Sequence, residues 1–344
     1  MGRLIRTRNR AGRTWRVAVV AAVACALALA VSACGSGGSG SGGNGKYGVV
    51  VLTKQGEFYV GYQRAMQKIA ASAGTDVTVL DSDAKVEKQQ QNVEDLLTKG
   101  VDAIGISPVD AASAQPLIKQ AEGQKVPVVT VTVPTPGVPV VVEDSVAAGR
   151  EGGKAAAQWF QKNYPNTPIR IAVVSFPQLQ QTVDRAKGFV AGVQSVDPKA
   201  RVVVSQDGSA VLDKATTAAE NMLQAHPEAN LWFGINDDSA LGALNALKGA
   251  GRGTVAKKDL VVGFDGSAKG ITEILNPQSA MKVDIGNQPY TYAKMAWDAM
   301  VALHDGKKPA ARSVPPVTLL TPAMGAAKLK KFYEQQYGAV LPAS

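Results

Sequence analysis

The 344 residues are 45% hydrophobic and 19% charged, enough apolar mass for a substantial core and, by length, about two domains. The formal net charge of +9 is concentrated at one end: residues 1–33 hold six arginines and no acid, and the other 31 basic residues face 28 acidic ones. A body that close to neutral carries no electrostatic case for nucleic acid, which is excluded as a partner.

The arginine-rich start runs into an uninterrupted apolar stretch, Val17 to Val31, and then into Ser32-Ala33-Cys34. This is the layout of a secretory signal over residues 1–33. The apolar stretch is shorter than the ~20 residues of a membrane span, although a short uncleaved anchor is the alternative reading. VSAC (31–34) resembles a bacterial lipobox, which implies lipid modification of Cys34 as the first mature residue. The tract GSGGSGSGGNG (35–45) cannot pack a core and predicts a flexible tether of roughly 17–20 Å reach. Cys25 and Cys34 are the only cysteines, so the mature body has neither a disulfide nor thiol chemistry. The expectation is an extracytoplasmic body held at the outer face of the cell membrane by Cys34 and a tether over 34–45.

From residue 46 the pattern alternates. Strands are predicted at Tyr47 to Leu52, Val77 to Leu80, Ala103 to Ile106, Val126 to Val133 and Val140 to Val142. Helices fall between them at Phe58 to Ala73, Val86 to Thr98, Ala111 to Glu122 and about Val146 to Lys162. After Pro168 the alternation restarts, with strands at Ile169 to Val174, Val202 to Ser205, Leu231 to Ile235, Val261 to Phe264 and Ala280 to Ile285. Helices are predicted at 182–195, 212–225, 238–249, 268–275 and Tyr290 to Leu303. A strand at Val314 to Leu320 and a helix at Ala326 to Gln336 close the chain. Near-continuous apolar strands between helices predict an α/β fold of two doubly wound parallel-sheet lobes.

Catalytic motifs are scarce. His226 and His304 read as helix C-terminal residues favoured by the helix dipole. G-x-S-x-G, H-E-x-x-H, Walker and EF-hand patterns are lacking, and Thr53-Lys54-Gln55-Gly56-Glu57 follows the first strand in place of a dinucleotide fingerprint. Asp237 and Asp238 are adjacent carboxylates, and Asp238 reads as the cap of its helix. The expectation is a non-enzyme with no cofactor and no metal. Two strands end in Asn236 and Asp265, at the carboxyl edge where open α/β sheets bind ligands. Aromatic faces with Asn, Asp and Arg suit a small hydroxylated molecule. Phe58 and Tyr59 offer such a face; the alternative for Phe58 is a place in the core.

Several segments, in this order and spacing, resemble the sugar-binding proteins of bacterial ABC importers, of the ribose-binding (type I) periplasmic-binding-protein kind. They are VVLTKQGEFYVGYQRAMQKIA, LDSDAKVEKQQQNVEDLLTKGVDAIGISPVD, TVDRAKGF, FGINDDSALGAL and VVGFDG, and the similarity covers nearly all of 46–320. The resemblance implies two lobes, 46–143 plus 288–314 and 144–287 plus 315–344, joined by a three-stranded hinge near Asp144, Gln288 and Pro315. It implies that the lobes close on a monosaccharide or polyol and deliver it to an ABC transporter permease, the protein acting as a monomer. It assigns Phe58 and Tyr59 to the sugar ring, Arg185, Asn236 and Asp265 to its hydroxyls, and Asn287 (or Gln288) to a hinge-side amide. Asn236 and Asp265 as helix caps, and Arg185 in a surface ion pair, are the competing readings. Ribose binders carry Asp-Arg after the fourth strand where this chain has Thr132-Val133, and a second-lobe aromatic is Ala210 here. Lys54 stands at a polar contact of some relatives, or is simply solvated. A ligand other than ribose is therefore expected. Signalling to a membrane receptor is the alternative role, and a sugar-processing enzyme a more distant one.

Overall fold

In the computed structural model, residues 1–2 and 45–342 are described. The signal segment, Cys34 and the tether therefore lie outside the described residues. The first sheet contains β1 (Tyr47–Val51), β2 (Val77–Asp81), β3 (Ala103–Ile106), β4 (Val128–Val131), β5 (Val140–Val141) and β11 (Arg312–Ser313), in the order β11-β5-β4-β3-β1-β2. Its pairings are all parallel, with Tyr47 opposite Val77 on one side and Ala103 on the other. The second contains β6 (Arg170–Ser175), β7 (Arg201–Asp207), β8 (Leu231–Gly234), β9 (Leu260–Asp265), β10 (Met281–Gly286) and β12 (Thr318–Leu320), in the order β12-β10-β9-β8-β6-β7. Only β12 among these runs antiparallel. The order 2-1-3-4-5 in the first sheet repeats as 7-6-8-9-10 in the second, so each lobe has one switch point where the winding reverses.

Burial explains why the strands read as unbroken apolar runs. In β1 every residue is buried, Val49 and Val51 against one layer of helices and Val50 against the other. In β9, Leu260, Val262 and Phe264 face one core and Val261 the opposite one. The helices around the first sheet are α1 (Glu57–Ser72), α2 (Val86–Thr98), α3 (Ala111–Gly123) and α9 (Pro289–His304). Those around the second are α4 (Ser145–Asn163), α5 (Gln180–Val196), α6 (Leu212–Ala225), α7 (Asp237–Gly249) and α8 (Ala268–Leu275). The last helix, α10 (Ala326–Tyr337), places Leu329, Phe332, Tyr333 and Tyr337 in the second lobe's core while its Tyr337 ring abuts Gly61 of α1.

The helices α4 and α5 cross with backbone nearly touching backbone. A Cβ on Gly149 or Gly153 would collide with the carbonyls of Arg185 or Phe189, and one on Gly188 or Gly192 with those of Val146 or Arg150. Glycine is required there by close approach.

The chain passes between lobes three times: from β5 into α4, from β10 into α9, and from β11 to β12. The single predicted strand Val314 to Leu320 is a correction. Pro315 and Pro316 supply no ladder N–H, so only Thr318–Leu320 (β12) of that segment is strand, and β11 (Arg312–Ser313) ends before it in the other sheet. The predicted strand Val126 to Val133 shortens to Val128–Val131, ending where Thr132 takes a φ of 68°.

Candidate ligand cleft

The carboxyl ends of strands from both sheets open into one cleft of about 710 Å³. Phe58 and Tyr59 reach it from the loop after β1 and the start of α1, and Thr132 from the end of β4. From the second lobe come Phe176 after β6, Ala210 after β7, Asn236 after β8, Asp265 closing β9 and Asn287 after β10. Each side chain sits where its strand stops, which is how parallel sheets present polar groups to a ligand.

Arg185 is the best-anchored of them. Its Nε donates to Glu143 Oε1 at 2.7 Å, its Nη1 donates to the Ile235 carbonyl at 3.0 Å, and its guanidinium lies 3.7 Å over the Phe264 ring. Glu143 is in turn held by the hydroxyls of Tyr292 (2.7 Å) and Ser145 (3.0 Å). Burial pushes the Glu143 carboxyl up, but the Arg185 charge and these hydrogen bonds outweigh it and leave the group below its ordinary value. Nη1 of Arg185 also stands 3.7 Å from Asp265 Oδ1.

Asp265 accepts a hydrogen bond from Asn287 Nδ2 at 2.9 Å, while its carbonyl accepts from the Asn287 amide (2.9 Å) and the Tyr337 hydroxyl (2.7 Å). Its φ of 132° is strained for a residue with a side chain, and the surrounding bonds hold it. Burial pushes its carboxyl up to about 8, against the Arg185 charge and with help from Asp237 and Glu143. Among the described residues the buried Asn287 Oδ1 has no hydrogen-bond partner, which leaves its acceptor capacity unused.

Behind this wall lies a carboxyl pair. Asp237 accepts from the Ser267 amide at 2.7 Å and Asp284 from the Gly266 amide at 3.2 Å, and both residues are buried. Burial above all keeps a proton on the pair: it raises Asp237 to about 6, against the Ser267 hydrogen bonds and with help from the Glu57 charge, and it raises Asp284 well above the ordinary range with help from the Asp237 and Asp265 charges. Tyr59 is pushed up to about 12 by burial, partly offset by a hydrogen bond with Thr132.

Of the residues expected at the site, Phe58, Tyr59, Thr132, Arg185, Asn236, Asp265 and Asn287 all line this cleft. Lys54 does not; it is exposed outside the lining. Phe58 has both of its weighed places, because it faces the cleft and also packs edge-on against Tyr292 in the core. Arg185 is buried, which removes the surface ion pair as a reading. Asn236 caps α7 by accepting from the Ser239 amide at 2.9 Å, and its Nδ2 pins the Ala210 carbonyl at 3.0 Å. The cap expected at Asp238 is therefore a correction: α7 begins one residue earlier, and Asp238 lies within its first turn. Ser267, not Asp265, caps α8. Glu143 and Phe176 were not anticipated. Both histidines stand at helix ends, His226 as the C-cap of α6 and His304 as the last residue of α9. Among the described residues no group of three His, Cys, Asp or Glu side chains is placed to hold a metal ion.

A family model described as a periplasmic binding protein domain matches residues 47–308. This chain belongs to the periplasmic binding protein family. Among curated relatives, the ribose import binding protein of Bacillus subtilis is 31% identical over 262 residues, covering 76% of this chain and 82% of that protein. An ABC transporter solute binding protein from Mycobacterium smegmatis, solved with bound glycerol, matches with a TM-score of 0.75 at 26% identity, over 87% of this chain and 99% of that one. The binding protein of the arabinose ABC transporter from Shewanella sp. ANA-3, bound to alpha and beta-L-arabinofuranose, matches with a TM-score of 0.73 at 26% identity, over 84% and 96%. Both periplasmic binding proteins share the type I arrangement of paired sheets seen here.

Proposed function

We propose that this protein is a lipid-anchored, extracytoplasmic solute-binding protein that captures a monosaccharide or polyol between its lobes and delivers it to an ABC transporter permease. The lobes are 46–143 plus 288–314 and 144–287 plus 315–344. Phe58 and Tyr59 cover the ring, while Arg185, Asn236, Asp265 and Asn287 bind hydroxyls, with Thr132 at the lobe-one wall. The observation that carries this reading is the unpartnered Asn287 Oδ1 beside Asp265 and Arg185, in a cleft open to both lobes. Such a cluster matches the donors and acceptors of vicinal hydroxyls. The kinship with importer binding proteins supports the same reading. Contacts from both lobes favour the closed state, so ligand shifts the opening equilibrium.

A thermal-shift screen of the folded body against monosaccharides, sugar alcohols and sugar acids tests this, followed by calorimetry on any hit and on Asp265→Ala. A midpoint raised by a neutral sugar, recovered unchanged after incubation and bound more weakly by about 2–5 kcal/mol in the variant, supports the proposal. Silence from ligand-free protein, or unchanged affinity in the variant, defeats it. Release of the protein from membranes by Cys34→Ala tests the anchor separately.

A further inference from the structure

The cleft has two chemically different walls. Arg185, Asp265 and Asn287 make one of them. The other is built by the loops that enter α5 and α6, where Phe176, Leu179, Ala210, Val211 and Leu212 form an apolar part beside Gln181, Thr182, Ser209 and Asp213.

Two features set these loops apart. Leu179 and Val211 occupy the N-cap positions of α5 and α6, and neither gives its helix a side-chain hydrogen bond. Leucine and valine are among the poorest residues for that position, where Ser, Thr, Asn or Asp satisfies an open amide. The rule is also broken at Lys85 and Gln288, the N-caps of α2 and α9, but here two apolar residues break it on one wall, and Val211 remains 50% exposed. Violations of local preference concentrate where function requires them.

The loops are also held rigidly. Ser209 and Ala210 both adopt left-handed backbone, with φ of 56° and 55°. Their conformation is fixed by Asn236 Nδ2 on the Ala210 carbonyl and by Asp207 Oδ1 accepting from the Ser209 amide at 2.7 Å. The Phe176 loop is tied down by the Thr182 hydroxyl, which donates to the carbonyls of Phe176 and Leu179. Strain held by specific bonds is a mark of preorganisation. Charge narrows the ligand further. Beyond the Arg185–Glu143 pair and the Asp265 and Asp237 carboxyls that burial pushes up, Glu57, Asp83, Asp213 and Asp238 line the cleft against the one further cation there, Lys269. An anion entering there meets repulsion.

We infer that the ligand is a neutral polyol with one apolar end, a deoxysugar or an O-alkylated sugar or cyclitol, whose methyl or methylene carbon rests on the wall formed by Phe176, Leu179 and Val211. This rests on the reading of the cleft as a polyol site and adds the chemical class of polyol it takes. Val211 and Phe176 are its specificity-determining residues.

Calorimetry with matched pairs tests it: D-fucose against D-galactose, L-rhamnose against L-mannose, 6-deoxy-D-glucose against D-glucose, 5-deoxy-D-ribose against D-ribose, and an O-methylinositol against its parent inositol. In the pair the protein binds, the deoxygenated or methylated member binds about tenfold or more tightly, the scale on which apolar pockets discriminate. The near-isosteric Val211→Thr places a hydroxyl on the wall and, as a favourable N-cap, leaves α6 able to form. It lowers that ratio severalfold. Equal or tighter binding of the hydroxylated member, or a ratio unmoved in Val211→Thr, overturns the inference and leaves the reading of the cleft as a polyol site standing. No binding by either member of any pair overturns the inference, and the wider thermal-shift screen then decides the polyol reading by itself.

Discussion

Glu143 and Arg185 are joined by a 2.7 Å bond between Oε1 and Nε with both side chains almost fully buried, and each has further bonds that leave little freedom. Glu143 follows β5 at a hinge crossing, and Arg185 projects from α5 of the second lobe. Replacing the charge while keeping the shape, Glu143→Gln, leaves a buried guanidinium without its counter-ion. We expect a loss on the order of 3–5 kcal/mol in unfolding free energy, and weaker ligand binding, because a broken buried pair is worse than none. Urea titration and calorimetry on the same variant measure the two effects; a wild-type midpoint would remove Glu143 from this role.

Protons stabilise the region behind the cleft. Asp265, Asp237 and Asp284 all have folded values raised by burial above an unfolded value of roughly 4. The folded state therefore holds extra protons, and their contribution is full below that unfolded value and is lost as pH rises through the folded ones. Between about pH 4 and pH 8 the unliganded protein should become less stable. Glu143, shifted downward, acts in the opposite sense only below the ordinary carboxylate range. Asp284→Asn should flatten the fall, since an amide can donate to Asp237 at any pH. Denaturation midpoints across that window test both statements, and an upward slope in wild type would contradict them.

Glu57 links the lobes without any ligand. Its carboxylate accepts from the Ala268 amide at the start of α8, 3.2 Å from each oxygen, and from the Tyr333 hydroxyl of α10 at 2.6 Å. Removing it in Glu57→Ala should cost the closed state roughly 1–2 kcal/mol. Small-angle scattering should then report a larger radius of gyration for unliganded protein, and ligand affinity should drop severalfold. Tyr333→Phe, which loses one bond of the set, should fall between the two.

The α4–α5 crossing leaves no room for a methyl group. Gly188→Ala forces the helices apart against the Val146 carbonyl. About 1–3 kcal/mol of stability should be lost, as is usual for overpacking. Arg185 lies one turn earlier on the same helix, so affinity should suffer beyond what the stability loss explains. Calorimetry well below the melting transition separates the two.

The sheets were legible because their strands are buried on both faces, and a run such as Leu260 to Phe264 has no other stable use. The late start of β12 at Thr318 was missed because apolar residues run through Val314 to Val317, while the break depends on the two N–H groups that Pro315 and Pro316 lack. Asn236 and Asp265 were legible because each ends an apolar strand, whereas Asn287 came only from the resemblance. Glu143 obeys that same pattern after Val140 to Val142, but it was passed over because its partners lie 42 and 149 residues away. Phe176 was hidden for a different reason: a lone aromatic in a loop carries no periodicity, and only the fold brings it into the cleft's lining with Tyr59. Lys54 was assigned by resemblance alone, and its local sequence gave no reason for it to turn inward.

The glycine crossing of α4 and α5 also constrains how this protein can change over generations. Where backbone meets backbone there are no side chains left to repack, so a substitution nearby has no neighbour that can yield to it. The frame carrying Arg185 is thereby closed to adjustment. The loops over 176–182 and 208–212 are held by a few individual hydrogen bonds and contribute little to the core. Adaptation to a new ligand can proceed there, one side chain at a time, while the frame behind them stays as it is.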